Sequence, residues 1–272
     1  MTAERAAALE ALKAAYGAYA DGFVSAAEGV RRDMLELKRA HTAHVVENAR
    51  AILAGEGFGG RERFLGEAAA LLHDTGRYEQ VTRYGTFNDL ESEDHARLSR
   101  RIVEERGWLD GWAAADRATV LAAVEVHNRR ELPAEMAGTE LRVARLVRDA
   151  DKLDIFRVLE ERFTGRDWAA HPEYFWNLAV WQAPSPAVSE AILEGRAVSY
   201  GAQGGLADFV LLQVGWMLNG LEFATTRRLT RERKHLEFRE SVVAELSGGT
   251  MPPDAARVFA RVREKFAREE KA

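Results

Sequence analysis

The chain has 272 residues, 30% of them charged, a formal net charge of -5 and no cysteine. That length buries a core without staples, and the lack of cysteine excludes disulfides and thiolate metal sites. Any metal must be held by histidine, carboxylate, carbonyl or water, which suits Mn, Fe, Ni, Zn or Mg, and the modest negative charge argues against a nucleic-acid partner.

The segment Met1 to Glu10 is charged within its first five positions and has no apolar core before a cleavage site. No apolar run is long enough to cross a bilayer, so a soluble, cytoplasmic protein without signal peptide or membrane contact is expected.

From Thr2 to about Val24 the spacing of Leu9, Leu12, Tyr16 and Tyr19 predicts an amphipathic helix. A longer helix is expected over Ala26 to Ala54, with Met34, Leu37, His41, Val45, Ala49 and Ile52 on one stripe and Gly55 to Gly60 closing it. His41 lies on or beside that stripe, and His44, three residues on, shares part of the same face. Arg61 to Leu72 reads as the next helix, leading into His73-Asp74, and Gly76 is expected to end it. Adjacent helical residues point about 100° apart, so a neighbouring imidazole and carboxylate converge on one cation only near a helix end or across a cleft.

Thr75 to Asp89 reads as a polar loop rich in arginine and aromatic residues, the composition of a substrate-contacting segment or of a cover over the core. Ser92 to Arg106 is expected to be helical, capped by Ser92, with His95, Leu98, Ile102 and Val103 inward. Asp116 to His127 repeats the pattern with Val120, Ala123, Val124 and His127. The run from Leu141 to Val158 keeps helical spacing through Leu146, Ala150 and Leu153. Within it Asp149, Asp151 and Asp154 need partners or a metal if buried. Asp151 is placed inward, and Asp149 and Asp154 are expected to cap or to pair with Arg145, Arg148 and Arg157.

Phe163 to Tyr200, with Pro172, Pro184, Pro186 and several tryptophans, predicts short helices in an irregular connection. Ala207 to Glu240 predicts a long helical region that turns basic from Arg227 to Lys234, a run expected to be a solvated face. A last amphipathic helix follows Pro252 and Pro253. No repeat or linker breaks the chain, so residues 1–272 are read as a single all-α domain.

His41 in Leu-Lys-Arg-Ala-His-Thr-Ala-His, the pair His73-Asp74, and Asp151 in Arg-Asp-Ala-Asp-Lys-Leu-Asp resemble, in order and spacing, the His, His-Asp, Asp signature of the HD-domain superfamily of metal-dependent phosphohydrolases. The resemblance implies an HD-domain helical bundle over approximately 34–158, with additional C-terminal helices over 159–272. It makes His41, His73, Asp74 and Asp151 ligands of one divalent metal, with His44 and Asp149 the alternatives to His41 and Asp151. In the two-metal subset two further histidines are present; His95 and His127 stand at matching places, and Asp74 would bridge the ions. The Gly-Tyr-Pro motif of the cyclic-di-GMP phosphodiesterases is absent, Asn128 to Pro133 standing in its place.

The family resemblance therefore implies hydrolysis of a nucleotide or other small phosphate mono- or diester through a metal-activated water, using one or two divalent ions. Asp74, Arg77 and Lys152 are the candidate catalytic groups, the two cations to neutralise phosphate charge. The same six ligands also resemble HD-fold di-iron oxygenases, and a non-catalytic nucleotide-binding HD module is the third reading. The sequence leaves open whether the chain forms a homodimer through its terminal helices.

Overall fold

The computed structural model describes residues 2–165, 178–196, 198 and 204–270. The fold is all-α. The first helices are α1 (Ala3–Ala26), α2 (Gly29–Gly55), α3 (Gly60–Leu72), α4 (Gly76–Tyr84), α5 (His95–Glu105), α6 (Ala114–Val126) and α7 (Gly138–Thr164). They are followed by α8 (Pro186–Leu193), α9 (Leu206–Asn219), α10 (Ala224–Glu232), α11 (His235–Leu246) and α12 (Pro253–Glu269). Among the described residues the β pairing is a single bridge between Ala179 and Gly205. None of the described helices is long and apolar enough to cross a membrane.

Backbone packing groups the chain into two compact units, Met1–Ile155 and Phe156–Ala272. In the first, α3 packs against α2 and α6, α5 against α4 and α6, and α1 against α2, α3 and α4. The Asn48 amide of α2 donates to the Ala150 carbonyl at 3.2 Å, and Arg142 pairs with Glu62 at 2.7 Å, which ties α7 to α2 and α3. Each helix follows its apolar stripe: α1 buries Leu9, Leu12, Tyr16, Tyr19 and Val24, one or two per turn. Thr2 caps α1 by accepting from the Arg5 N–H, and Asp94 caps α5 by accepting from the N–H groups of Ala96 and Arg97. The cap of α5 is thus Asp94 and not Ser92, whose hydroxyl instead donates to the Asn88 carbonyl.

The segment expected as a loop from Thr75 to Asp89 contains a regular helix, α4. Tyr78 and Val81, three apart, are fully buried, and Gly85 closes the helix at φ 67°, a left-handed cap. A short 3₁₀ turn, Asp89–Glu91, follows.

In the second unit α9 packs against α8, α11 and α12, and α10 packs against α11. The region from Ala207 to Glu240 is three helices rather than one, interrupted at Gly220 and at Lys234, whose φ of 57° turns the chain into α11. Its basic run is not simply solvated: Arg227 and Arg231 pair with Glu269 and Glu270 at 2.9 and 3.1 Å. Of the short helices expected between Phe163 and Tyr200, α8 is observed; Trp168, Pro172, Trp176 and Tyr200 lie outside the described residues.

Candidate metal centre

α3 stops at Leu72, and the chain makes a turn through His73, Asp74 and Thr75 before α4 begins. The Thr75 N–H and hydroxyl both donate to the Leu72 carbonyl, at 3.2 and 2.9 Å. From α1, the Tyr19 hydroxyl donates to the Thr75 carbonyl at 3.4 Å, and the Tyr16 and Tyr78 hydroxyls meet at 3.1 Å. This turn lets two consecutive side chains face one point, which a continuing helix forbids. Gly76 does not end α3 but opens α4 against α5: its N–H donates to Ser99 Oγ at 2.8 Å. A Cβ there would stand 2.5 Å from the His95 carbonyl oxygen and 2.7 Å from the Ser99 nitrogen, backbone atoms that cannot give way.

Four imidazoles converge on Asp74, one each from α2, the turn after α3, α5 and the end of α6. Asp74 Oδ2 lies 3.5 Å from His41 Nε2 and 3.6 Å from His73 Nε2, while Oδ1 lies 3.4 Å from His95 Nε2 and 3.6 Å from His127 Nε2. Asp151 Oδ1, from α7, is 3.1 Å from His41 Nε2 and 3.8 Å from His73 Nε2. One carboxylate thus presents an oxygen to each of two histidine pairs.

The second ring nitrogen of every histidine is held from behind. His41 Nδ1 lies 2.6 Å from Asp154 Oδ2 and His95 Nδ1 2.6 Å from Asp89 Oδ2; His73 and His127 Nδ1–H groups donate to the carbonyls of Ala70 and Val124, at 2.8 and 2.7 Å. A carbonyl or ionised carboxylate only accepts, so the proton of each neutral ring sits on Nδ1 and the Nε2 lone pair faces inward. His95 and His127 then bring two such lone pairs to 3.1 Å, beside Asp74 Oδ1 and with no hydrogen between them. His73 Nε2 and His41 Nε2 meet at 3.3 Å, with His41 Nε2 also 3.1 Å from Asp151 Oδ1. A buried cluster holding far more acceptors than donors is unfavourable by itself and fits a cation.

A family model for the HD domain matches residues 39–155. This stretch is an HD domain. No curated protein and no solved structure gives a significant match to the chain. HD domains are mostly metal-dependent hydrolases, and the four histidines and two aspartates of this HD domain can hold metal ions in the groups His41-His73-Asp74, His73-His127-Asp151 and Asp74-His95-His127.

Burial governs the protonation of this cluster. It pushes His73 and His95 down to about 4, against the pull of Asp74. On His41, burial and Lys38 act downward, but the hydrogen bonds to Asp151 and Asp154 prevail and its value is raised. Burial acts upward on Asp74, yet Lys38 and the histidines hold it well below the usual carboxylate range.

Of the alternatives open in the sequence, His44 is turned away, its Nδ1–H donating to the Ala40 carbonyl at 2.8 Å with the side chain 42% exposed. Asp149 is fully buried, and the α7 carboxylate against His41 and His73 is that of Asp151. Asp154, expected to cap or to pair with an arginine, backs His41. Arg77 is committed to the surrounding loop: its NH1 donates to Gln80 Oε1, the Phe87 carbonyl and Asp89 Oδ1, at 2.7, 2.6 and 3.1 Å. Lys152 follows Asp151 on α7 and is half-buried. A group that sequence reasoning missed is Lys38, whose Nζ donates to Asp74 Oδ2 at 2.6 Å. Its signal was position: three residues before His41, it lies on the same face of α2.

Proposed function

We propose that this HD domain is a phosphohydrolase that uses two divalent cations and acts on a nucleotide or another small phosphate mono- or diester. The observation that carries the reading is Asp74, with one carboxylate oxygen toward His41 and His73 and the other toward His95 and His127. His41, His73, Asp74 and Asp151 would hold one ion, and Asp74, His95 and His127 the other. Bound divalent ions supply an acidified water and a polarised phosphoryl oxygen.

The chain's own groups set up that chemistry. Asp154 and Asp89 orient two rings through Nδ1, and the Ala70 and Val124 carbonyls orient the other two, so that all four Nε2 atoms stay available. Arg77 joins the Phe87 carbonyl and Asp89, fixing the loop that carries the carboxylate behind His95, and its Nε approaches Asp74 Oδ1 at 3.6 Å. The catalytic assignments are Asp74 as the shared ligand, with Arg77 and Lys152 as charges toward the phosphate. A screen of phosphomonoesters, nucleoside triphosphates and cyclic dinucleotides, run with Mn, Fe, Ni, Zn and Mg and with metal analysis, tests the reading. Release of phosphate or nucleoside monophosphate is expected, abolished with metal content in His73→Ala and Asp74→Ala. Unchanged metal and turnover in both variants would place the site elsewhere.

A further inference from the structure

The ligand side chains are closed to solvent, from 0% exposed at His73 to 6% at His95, except for Asp151 at 17%. Solvent reaches the cluster at Asp151, at Asp89, at the half-exposed Phe87 ring and at two cations, Lys38 at 16% and Arg77 at 13%. An anionic substrate entering there is repelled by the carboxylates and attracted by the cations. The two cations differ in how firmly they are already tied to the surrounding protein. Arg77 NH1 already serves three acceptors, and its Nε is buried. Among the described residues Lys38 Nζ makes one hydrogen bond, to Asp74 Oδ2 at 2.6 Å. An ammonium has three N–H donors, so two remain beyond the bond to Asp74.

Phe87 restrains where they point. Its ring centroid lies 5.2 Å from Lys38 Nζ and 5.6 Å from the Arg77 guanidinium carbon, within cation–π reach of both. The ammonium is thereby held at the rim, bonded to the carboxylate oxygen that also faces His41 and His73. We propose that Lys38 is the residue that grips the substrate's phosphoryl oxygens, which rests on the phosphohydrolase reading above. Its remaining donors bind the non-bridging oxygens, and its bond to Asp74 sets the phosphorus against the metal ligands.

The test is calorimetric titration of the manganese-loaded protein with inorganic phosphate, for wild type, Lys38→Met and Lys38→Arg, with bound manganese measured for each and turnover followed on the best substrate of the screen. Removing one charge-assisted hydrogen bond weakens phosphate binding roughly ten- to a hundredfold. That loss is expected in Lys38→Met with manganese retained, together with a matching rise in KM, and Lys38→Arg is expected to recover most of it. Should Lys38→Met fail to give a native circular-dichroism spectrum, Lys38→Gln takes its place under the same criteria. Wild-type phosphate affinity in the manganese-loaded Met or Gln variant overturns the assignment, as does manganese loss that accounts for all of the weakening. Lys38-dependent phosphate binding by a wild type that turns over no phosphate ester would sink the hydrolase reading and leave the anion-gripping assignment standing. A wild type that turns over substrate with no loss in the variants does the reverse.

Discussion

Each of the two units buries a polar cluster, and the two clusters solve the same problem in opposite ways. In the second unit Arg239 is completely buried and donates to Glu160 Oε1 at 2.7 Å, to the carbonyls of His235 and Phe156 at 2.9 and 3.1 Å, and twice to Gln213 Oε1 at 3.0 and 2.8 Å. All five guanidinium donors are matched, Phe156 stacks beneath at 4.4 Å, and His235 Nδ1–H donates to Glu160 at 2.5 Å. Within that cluster His235 Nε2 and Gln213 Nε2 are left without partners among the described residues. In the HD domain four Nε2 atoms and two carboxylates meet, with the Lys38 ammonium reaching in. A cluster holding both donors and acceptors closes on itself and serves packing, whereas one holding almost only acceptors calls for a cation and serves chemistry.

The largest effects should separate the two. Asp74→Asn removes the shared charge and is expected to strip metal and lower turnover by about a thousandfold or more, with a native circular-dichroism spectrum. Metal retained at wild-type stoichiometry would show that the acceptor cluster is self-sufficient and end the contrast. Arg239→Met removes the guanidinium paired with the Glu160 carboxylate and is expected to cost about 3–5 kcal/mol in urea unfolding while the purified variant keeps its metal. Loss of metal in that variant, at temperatures where it is folded, would mean that the second cluster is part of the site.

The features legible in the sequence were those that repeat along a helix. His41, His95 and His127 stand on apolar stripes, and His73-Asp74 ends one, so their spacing disclosed both the helices and the ligand order. The features that stayed hidden depend on where separate elements meet. Asp89 and Asp154 look like ordinary loop and helix carboxylates until α5 and α2 bring an imidazole nitrogen to 2.6 Å of each. Gly76 reads as a helix stop because its true constraint, the backbone of α5 at van der Waals distance, has no local signature. α4 was masked by its composition: nine residues rich in arginine and tyrosine have a loop's polarity, and its buried face of Tyr78 and Val81 is too short to show a period.

Acid sharpens the comparison further. In the metal-free protein burial lowers His73 and His95 to about 4, so between that value and the ordinary 6.5 the unfolded chain binds protons that the folded chain does not. Stability is therefore fully present above about pH 6.5 and falls toward pH 4, by up to about 1.4 kcal/mol per pH unit for each ring. His41, whose value is raised, acts on the other side, its contribution complete below 6.5 and lost as pH rises through its folded value. Burial also lowers His235, which adds a loss of the same sign from the second unit. Urea unfolding at several pH values should show a shallower acid slope in the double variant His73→Gln, His95→Gln than in His235→Gln; the reverse order would assign the acid sensitivity to the self-closed cluster.

The smallest expected effects come from the carboxylates behind the rings. Asp154→Asn and Asp89→Asn keep the shape and an acceptor oxygen for His41 and His95 but remove the charge that raises the basicity of Nε2. Each is expected to weaken metal binding roughly 10- to 100-fold by calorimetry, about 1.4–2.7 kcal/mol, without changing the fold. The two should also differ by ion: Asp154 backs the pair shared with Asp151, and Asp89 backs the pair that faces Asp74 Oδ1. Losing the same ion from both variants would mean that the four histidines form one cation site and not two, and would remove the ground for reading Asp74 as a bridge.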